Sequence, residues 1–257
     1  MNAHKLLTAE REEQILRQLR QAGTRSVQEL CQALNVSEAT VRRDLQSMDE
    51  RGLLRRVRGG ATLARNQRVE PLFSDKESQH SEEKESIAAA AFELINDHDT
   101  IYLDGGSTVL GLTRHLDKRR HLTIVTNSIM AAANLMNTKH RLVLVGGEFR
   151  AISRTLVGPL TAEIIQALNI DKAFMGTIGF TIADGMTTTD PNEAYTKNQI
   201  MKRSSQVILL ADSSKLGISS FARSGDVTSV DTLVTDAIAP SLRSELEEQG
   251  INVVVCQ

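Results

Sequence analysis

From residue 81 to the C-terminus, short apolar runs alternate with segments of helical period, and this alternation constrains the fold more than any other feature. The runs are Thr100–Leu103, Leu122–Thr126, Arg141–Val145, Lys172–Gly176, Gln206–Ala211, Thr232–Val234 and Ile251–Val255. Helices are predicted between and around them: Glu82–Ile95, Ser107 to about Leu116, the stretch after Ser128 through Met136, Thr161–Leu168, Pro191–Arg203 and Ser241–Gln249. Strands that alternate with helices need crossover connections, so they lie mainly parallel in one sheet covered on both faces. The fold class is therefore α/β.

The chain has 257 residues, which suits one large domain or two unequal ones. Its 2 cysteines, Cys31 and Cys256, lie near opposite ends and encode neither a disulfide framework nor a paired-thiol metal site. The 6 histidines show no metal-ligand spacing, and the chain has no P-loop lysine, HExxH or GxGxxG, so neither a metal nor another cofactor is expected. The longest apolar stretch, Ile87–Phe92, is far too short to span a bilayer, and the first residues turn charged at once. The expected compartment is the cytoplasm, with no membrane partner.

The net charge of −2 conceals an asymmetry. Residues 1–66 carry 12 Lys+Arg against 8 Asp+Glu, whereas the remainder carries 18 against 24. A basic head on an acidic body suggests an anionic partner for the head. Within it, Thr8–Gln21 reads as a helix stopped by Gly23. Ser26-Val27-Gln28-Glu29 is a capping box that opens a second helix, and Leu34-Asn35-Val36 is a short turn. Ser37 caps a third helix with Val41, Leu45 and Met48 inward. Two short helices joined by a tight turn form a helix-turn-helix. Glu38, Thr40, Arg42, Arg43 and Gln46 then point wholly or partly outward, the kinds of side chain that a major groove accepts. From Leu53 to Leu63 two short strands around a glycine turn form a wing, whose Arg55, Arg56 and Arg58 suit phosphates. Operator DNA is the expected partner, and a small protein-binding head is the alternative.

The segment SVQELCQALNVSEATVRRDLQSMDERGLLRRVRGGA resembles the winged helix of the DeoR-type family of sugar-operon repressors. In that family the third helix enters the major groove, so the resemblance implies the same use of Ser37–Gln46 here.

In the body, four runs end in small polar residues: Asp104-Gly105-Gly106-Ser107-Thr108, Thr126-Asn127-Ser128, Gly146-Gly147 and Asp212-Ser213-Ser214-Lys215. One such break is ordinary turn chemistry. Four on one edge point to a shared crevice, because open parallel sheets bind ligands outside the carboxyl ends of their strands. Gly105–Thr108 opens a helix and offers amides to a phosphate or carboxylate. Asn127 and Ser128 suit sugar hydroxyls, and Gly146-Gly147 permits close backbone approach. Asp104 and Asp212 would repel an adjacent phosphate and fit better as hydroxyl acceptors or turn caps. Lys215 adds positive charge. Glu193 and Lys197 are spaced as an ordinary helical ion pair, and Asp190-Pro191-Asn192-Glu193 reads as a capping box, so spacing alone makes both structural.

LDGGSTV, IVTNS, LVGGEF, KAFMGTIGF, NEAYTK and ADSSK are similar to the effector domain of the same family, whose fold resembles ribose-5-phosphate isomerase. The resemblance implies a phosphorylated sugar or sugar alcohol as effector. By it, Gly105–Thr108 would hold phosphate, while Asp104, Thr126, Asn127, Gly147, Glu193, Lys197, Asp212 and Lys215 line the pocket. KAFMGTIGF and NEAYTK resemble the hexitol-operon branch. The isomerases carry an acidic cluster after a central strand, where this chain has Phe174-Met175-Gly176-Thr177-Ile178-Gly179. Isomerisation needs a positioned acid or base, so binding without turnover is expected, with a sugar-phosphate isomerase as the alternative. The organisation expected is a DNA-binding domain over 1–64, a linker over 65–80 and an effector domain over 81–257. The assembly expected is a homodimer or homotetramer, because one short helix reads too few bases.

Overall fold

The computed structural model describes residues 8–22, 24–51, 53–57, 59–63 and 70–256. Its contacts divide the chain into two units, Met1–Val69 and Glu70–Gln257.

The first unit runs α1 (Thr8–Ala22), β1 (Thr24–Ser26), α2 (Val27–Leu34), α3 (Glu38–Glu50), β2 (Leu54–Val57) and β3 (Gly60–Leu63). Ser26 and Glu29 close the capping box in both directions: Ser26 N donates to the Glu29 carboxylate at 2.7 Å, and Glu29 N donates to Ser26 Oγ at 3.2 Å. Asn35, left-handed at φ 51°, ends α2, and Ser37 Oγ accepts from Thr40 N to open α3. Ile15, Leu19, Leu30, Val41, Leu45, Met48 and Leu54 share one small core. β1, β3 and β2 form an antiparallel sheet in that order. Gly59, at φ +83°, makes the tight β2–β3 turn that an L side chain would strain. Arg58 lies outside the described residues.

The second unit opens with α4 (Phe73–Ser78), α5 (Ser81–Phe92), β4 (Thr100–Leu103), α6 (Ser107–Leu112), β5 (Thr123–Thr126), α7 (Ile129–Asn134) and β6 (Arg141–Leu144). It continues with β7 (Glu148–Arg150), β8 (Thr155–Val157), α8 (Pro159–Gln166), β9 (Ile170–Met175), β10 (Gly179–Thr181) and β11 (Gly185–Thr188). It closes with α9 (Pro191–Lys202), β12 (Ser204–Leu210), β13 (Ala222–Gly225), β14 (Thr232–Thr235), α10 (Pro240–Glu248) and β15 (Asn252–Val255). Seven strands form one parallel sheet in the order β15-β14-β12-β9-β4-β5-β6. Tyr102, Ala173, Met175 and Leu209 pack into a core on one face, and Leu103, Ile124, Phe174 and Ile208 into a core on the other. Burial on both faces explains why these strands read as continuous apolar runs. From β4 the chain steps one way to β5 and β6, and the other way to β9, β12, β14 and β15. The topological switch therefore falls between β4 and β9.

Of the connector expected over 65–80, residues 65–69 lie outside the described residues, and from Glu70 the chain groups with the second unit. Phe73 is 2% exposed against Leu110 and Ala131, so α4 is anchored by burial, while Leu72 stays exposed. The alternation of strands and helices did not predict the β7–β8 hairpin after Gly147, nor the small antiparallel sheet formed by β10, β11 and β13. These strands have three or four residues and are rich in Thr, Gly and Arg, too short and too polar to show a period. Among the described residues no helix is long and apolar enough to cross a membrane.

Candidate functional site

The first unit presents one basic face. Arg42, Arg43 and Gln46 on α3 and Arg55 and Arg56 on β2 are all exposed, with Thr40 half-buried. Arg42, Arg43, Gln46 and Arg56 line one shallow depression, and Arg56 donates to Gln46 at 3.4 Å. Arg42 is held by Glu38 at 2.9 Å, an exposed pair that a phosphate can break at small cost. The inner side of α3 carries a feature the sequence did not announce: Asp44 is buried and takes two hydrogen bonds from Arg11 of α1, at 2.8 and 3.0 Å.

In the second unit a cleft opens at the switch point, beyond the carboxyl ends of β4, β9 and β12. Gly105, Gly106, Ser107 and Thr108 line one wall. Gly176, Thr177 and Ile178 follow β9, and Asp212 and Lys215 follow β12. Glu193 and Lys197 reach it from α9, and Lys76, Gln79, His80 and Lys84 from the α4–α5 region. Gly105 is a close-approach glycine, since a Cβ there would lie 1.8 Å from Thr155 Cγ2. No side chain caps the start of α6.

Beneath the cleft is a buried ionic cluster. Lys197 Nζ bonds the Asp104 carboxylate, donates to Gly176 O at 3.0 Å and lies 3.6 Å from Glu193. Asp104 also accepts from Gly176 N at 2.9 Å, which ties β4 to β9 across the switch. Burial opposes the Lys197 ammonium, but Asp104 and Glu193 outweigh it and raise its pKa. Burial raises the Glu193 carboxyl, with Lys197 acting against it. Asp190 caps α9 by accepting from Glu193 N at 2.8 Å, yet the Glu193 side chain turns to Lys197 and Arg150. The ion-pair spacing seen in the sequence is thus real, and it lies inside the cleft wall.

The other sequence candidates adjoin the cleft wall from behind. Thr126, Asn127, Ser128, Gly146 and Gly147 do not line this cleft. Thr126 Oγ1 donates to Leu103 O at 2.7 Å, Asn127 Nδ2 to Leu156 O at 2.9 Å, and Ser128 Oγ caps α7. Asp212 accepts from Ser214 N at 3.1 Å as a turn cap while still facing the cleft. Sequence reasoning missed Glu70, Lys76, Lys84 and Arg150. Lys84 had a signal: it shares the inward face of α5 with Ile87, Ala88 and Ala91. Burial lowers the Lys84 pKa, with Asp212 opposing. Among the described residues no cluster of His, Cys, Asp and Glu could hold a metal ion.

Glu70 has a pH signature. Burial would raise its carboxyl, but the Lys76 ammonium and the bonds from Arg150, Lys76 and Thr189 bring it down to about 2. A depressed pKa contributes stability that is complete above the ordinary value of 4.5 and is lost as pH falls through about 2. Urea unfolding of wild type and Glu70→Gln should therefore converge across that window, and a gap constant with pH would contradict this account.

Residues 11–67 match the DeoR-like helix-turn-helix domain family, and residues 79–237 match the DeoR C terminal sensor domain family. A Bacillus subtilis (strain 168) protein described as an uncharacterized HTH-type transcriptional regulator, FruR, is 34% identical, covering 97% of this chain and 99% of its own. The Haloferax volcanii HTH-type transcriptional regulator GlpR is 33% identical, over 97% and 98%. The Escherichia coli (strain K12) glycerol-3-phosphate regulon repressor is 32% identical, over 94% and 96%. Among solved structures, a ribose 5-phosphate isomerase A from Methanocaldococcus jannaschii is 18% identical over 54% of this chain and 55% of its own, with a TM-score of 0.40. The matches run through both units and their relatives are regulators, which decides against the isomerase alternative. Along nearly all its length, then, this chain belongs to the DeoR family of DNA-binding transcriptional regulators.

Proposed function

We propose that the chain represses a carbohydrate operon, acting in the cytoplasm as a homodimer or homotetramer, and that a phosphorylated sugar or sugar alcohol in the cleft sets its affinity for operator DNA. One observation carries the ligand reading: the cleft gathers Lys76, Lys84, Lys197 and Lys215 around the uncapped start of α6, against only Glu193 and Asp212 on its lining. Positive side chains and first-turn amides together favour a phosphate. The phosphate sits at Gly105–Thr108 among Lys76, Lys84 and Lys215. Glu193, Lys197 and Asp212 then face the hydroxyls as acceptors and donor. Thr126, Asn127, Ser128, Gly146 and Gly147 act behind this wall by holding β5 and the β7–β8 hairpin. The hexitol phosphate assignment rests on KAFMGTIGF and NEAYTK alone.

A ligand shifts DNA affinity only by its unequal binding to two conformations, and operator DNA must weaken ligand binding by the same factor. A thermal-shift screen of sugar phosphates, hexitol phosphates and their unphosphorylated parents tests the reading. At a hundredfold excess over Kd the right ligand adds about 2.7 kcal/mol, roughly 5–10 °C for a unit of this size. A parent sugar that stabilises as much as its phosphate would defeat it.

A further inference from the structure

Glu70 is the first residue of the second unit, directly after Val69 in the chain. Its side chain is buried among partners: Lys76 at 2.6 Å, Arg150 at 2.7 Å and the Thr189 hydroxyl at 2.6 Å. Both of its cations are shared with the cleft. Lys76 lines the cleft itself. Arg150 Nη1 lies 3.2 Å from Glu193, which also lines it. That second link is incomplete, because Glu193 Oε2 and Arg150 Nη1 are buried and neither makes a directed hydrogen bond. A buried pair at ion-pair distance but out of alignment is poorly satisfied and ready to rearrange.

We propose that Glu70 is an internal competitor for the cleft's anion: a phosphorylated ligand draws Lys76 away from Glu70 and loosens the point where the sensor unit leaves the DNA-binding unit. The inference rests on reading the cleft as a phosphate site. An ammonium has three donors and can touch two anions. A carboxylate and a phosphate converging on one part-buried ammonium nevertheless repel each other strongly. The stronger anion keeps the lysine, and Glu70 is left with Arg150 and Thr189. Arg150 is already shared with Glu193 at 3.2 Å, so it compensates Glu70 only in part.

The test uses the full chain, with inorganic phosphate as probe, calorimetric titration for affinity and amide hydrogen exchange over residues 70–78. Glu70→Gln should bind phosphate about tenfold tighter than wild type, within the ordinary range of coupling. Phosphate should raise exchange over 70–78 in wild type, whereas Glu70→Gln should exchange fast from the start and not respond. Equal affinity in the two proteins, or binding with no rise in exchange, overturns the inference and leaves the phosphate site standing. Absence of phosphate binding by both overturns the two together. Should Glu70→Gln fail to fold, Lys76→Gln serves instead: exchange over 70–78 should be fast without ligand and indifferent to phosphate, and a persistent response to phosphate overturns the proposal.

Discussion

Replacing Arg42 and Arg43 together with alanine should weaken operator binding by at least about 2 kcal/mol, roughly thirtyfold, and flatten its salt dependence. Both side chains are exposed on α3, and both line the same depression as Gln46 and Arg56. The Glu38–Arg42 pair gives little resistance, since it is solvent-facing on both sides. Each arginine that neutralises a phosphate releases counterions, so the slope of log affinity against log salt should fall by about one per lost contact. The fold should be indifferent, because Val41, Leu45 and Met48 on the opposite side hold the helix. Titration of labelled operator at several salt concentrations measures both effects. An unchanged slope would mean that this face does not meet the phosphate backbone.

Lys197→Met should strongly destabilise the sensor unit. Lys197 is 4% exposed, between Asp104 at 3% and Glu193 at 9%. Removing one partner of a buried ion pair leaves the other charge uncompensated, a loss of about 3–5 kcal/mol. Adding Asp104→Asn should recover much of it, since the amide removes the stranded charge. The raised Lys197 pKa has a sign as well: its stabilisation is complete below the ordinary lysine value of 10.5 and is lost only as pH rises through the higher folded value. Urea unfolding monitored in the second unit measures these changes. A single variant that loses less than about 1 kcal/mol, or a double variant no better than the single, would show that the cluster does not hold β4, β9 and α9 together.

The sheet could be read from the chain because its strands are covered on both faces, so Ile101–Leu103 and Val207–Ala211 had to be apolar throughout. The helix-turn-helix was equally legible, since Ser26, Glu29 and Ser37 announce helix starts by local chemistry. Half the cleft was visible for the same reason: Gly105–Thr108 and Asp212–Lys215 directly follow strands. What stayed hidden depends on contacts between distant residues. Arg150 and Glu70 are 80 positions apart, and nothing local in either segment reports their pairing. Thr126-Asn127-Ser128 looked like Gly105–Thr108 because strand ends share turn chemistry, whatever lies beyond them. Glu193 shows the converse case, a position that fits a cap in sequence and joins an ionic cluster in space.

The buried Arg11–Asp44 contact has one more consequence. It fixes how far α3 is rotated about its own axis, using a charge on the side turned towards α1. The residues expected to read a nucleotide sequence therefore sit on a helix whose seating does not depend on them. Substitutions at Arg42, Arg43 and Gln46 should therefore alter the outward face of α3 without refolding the head.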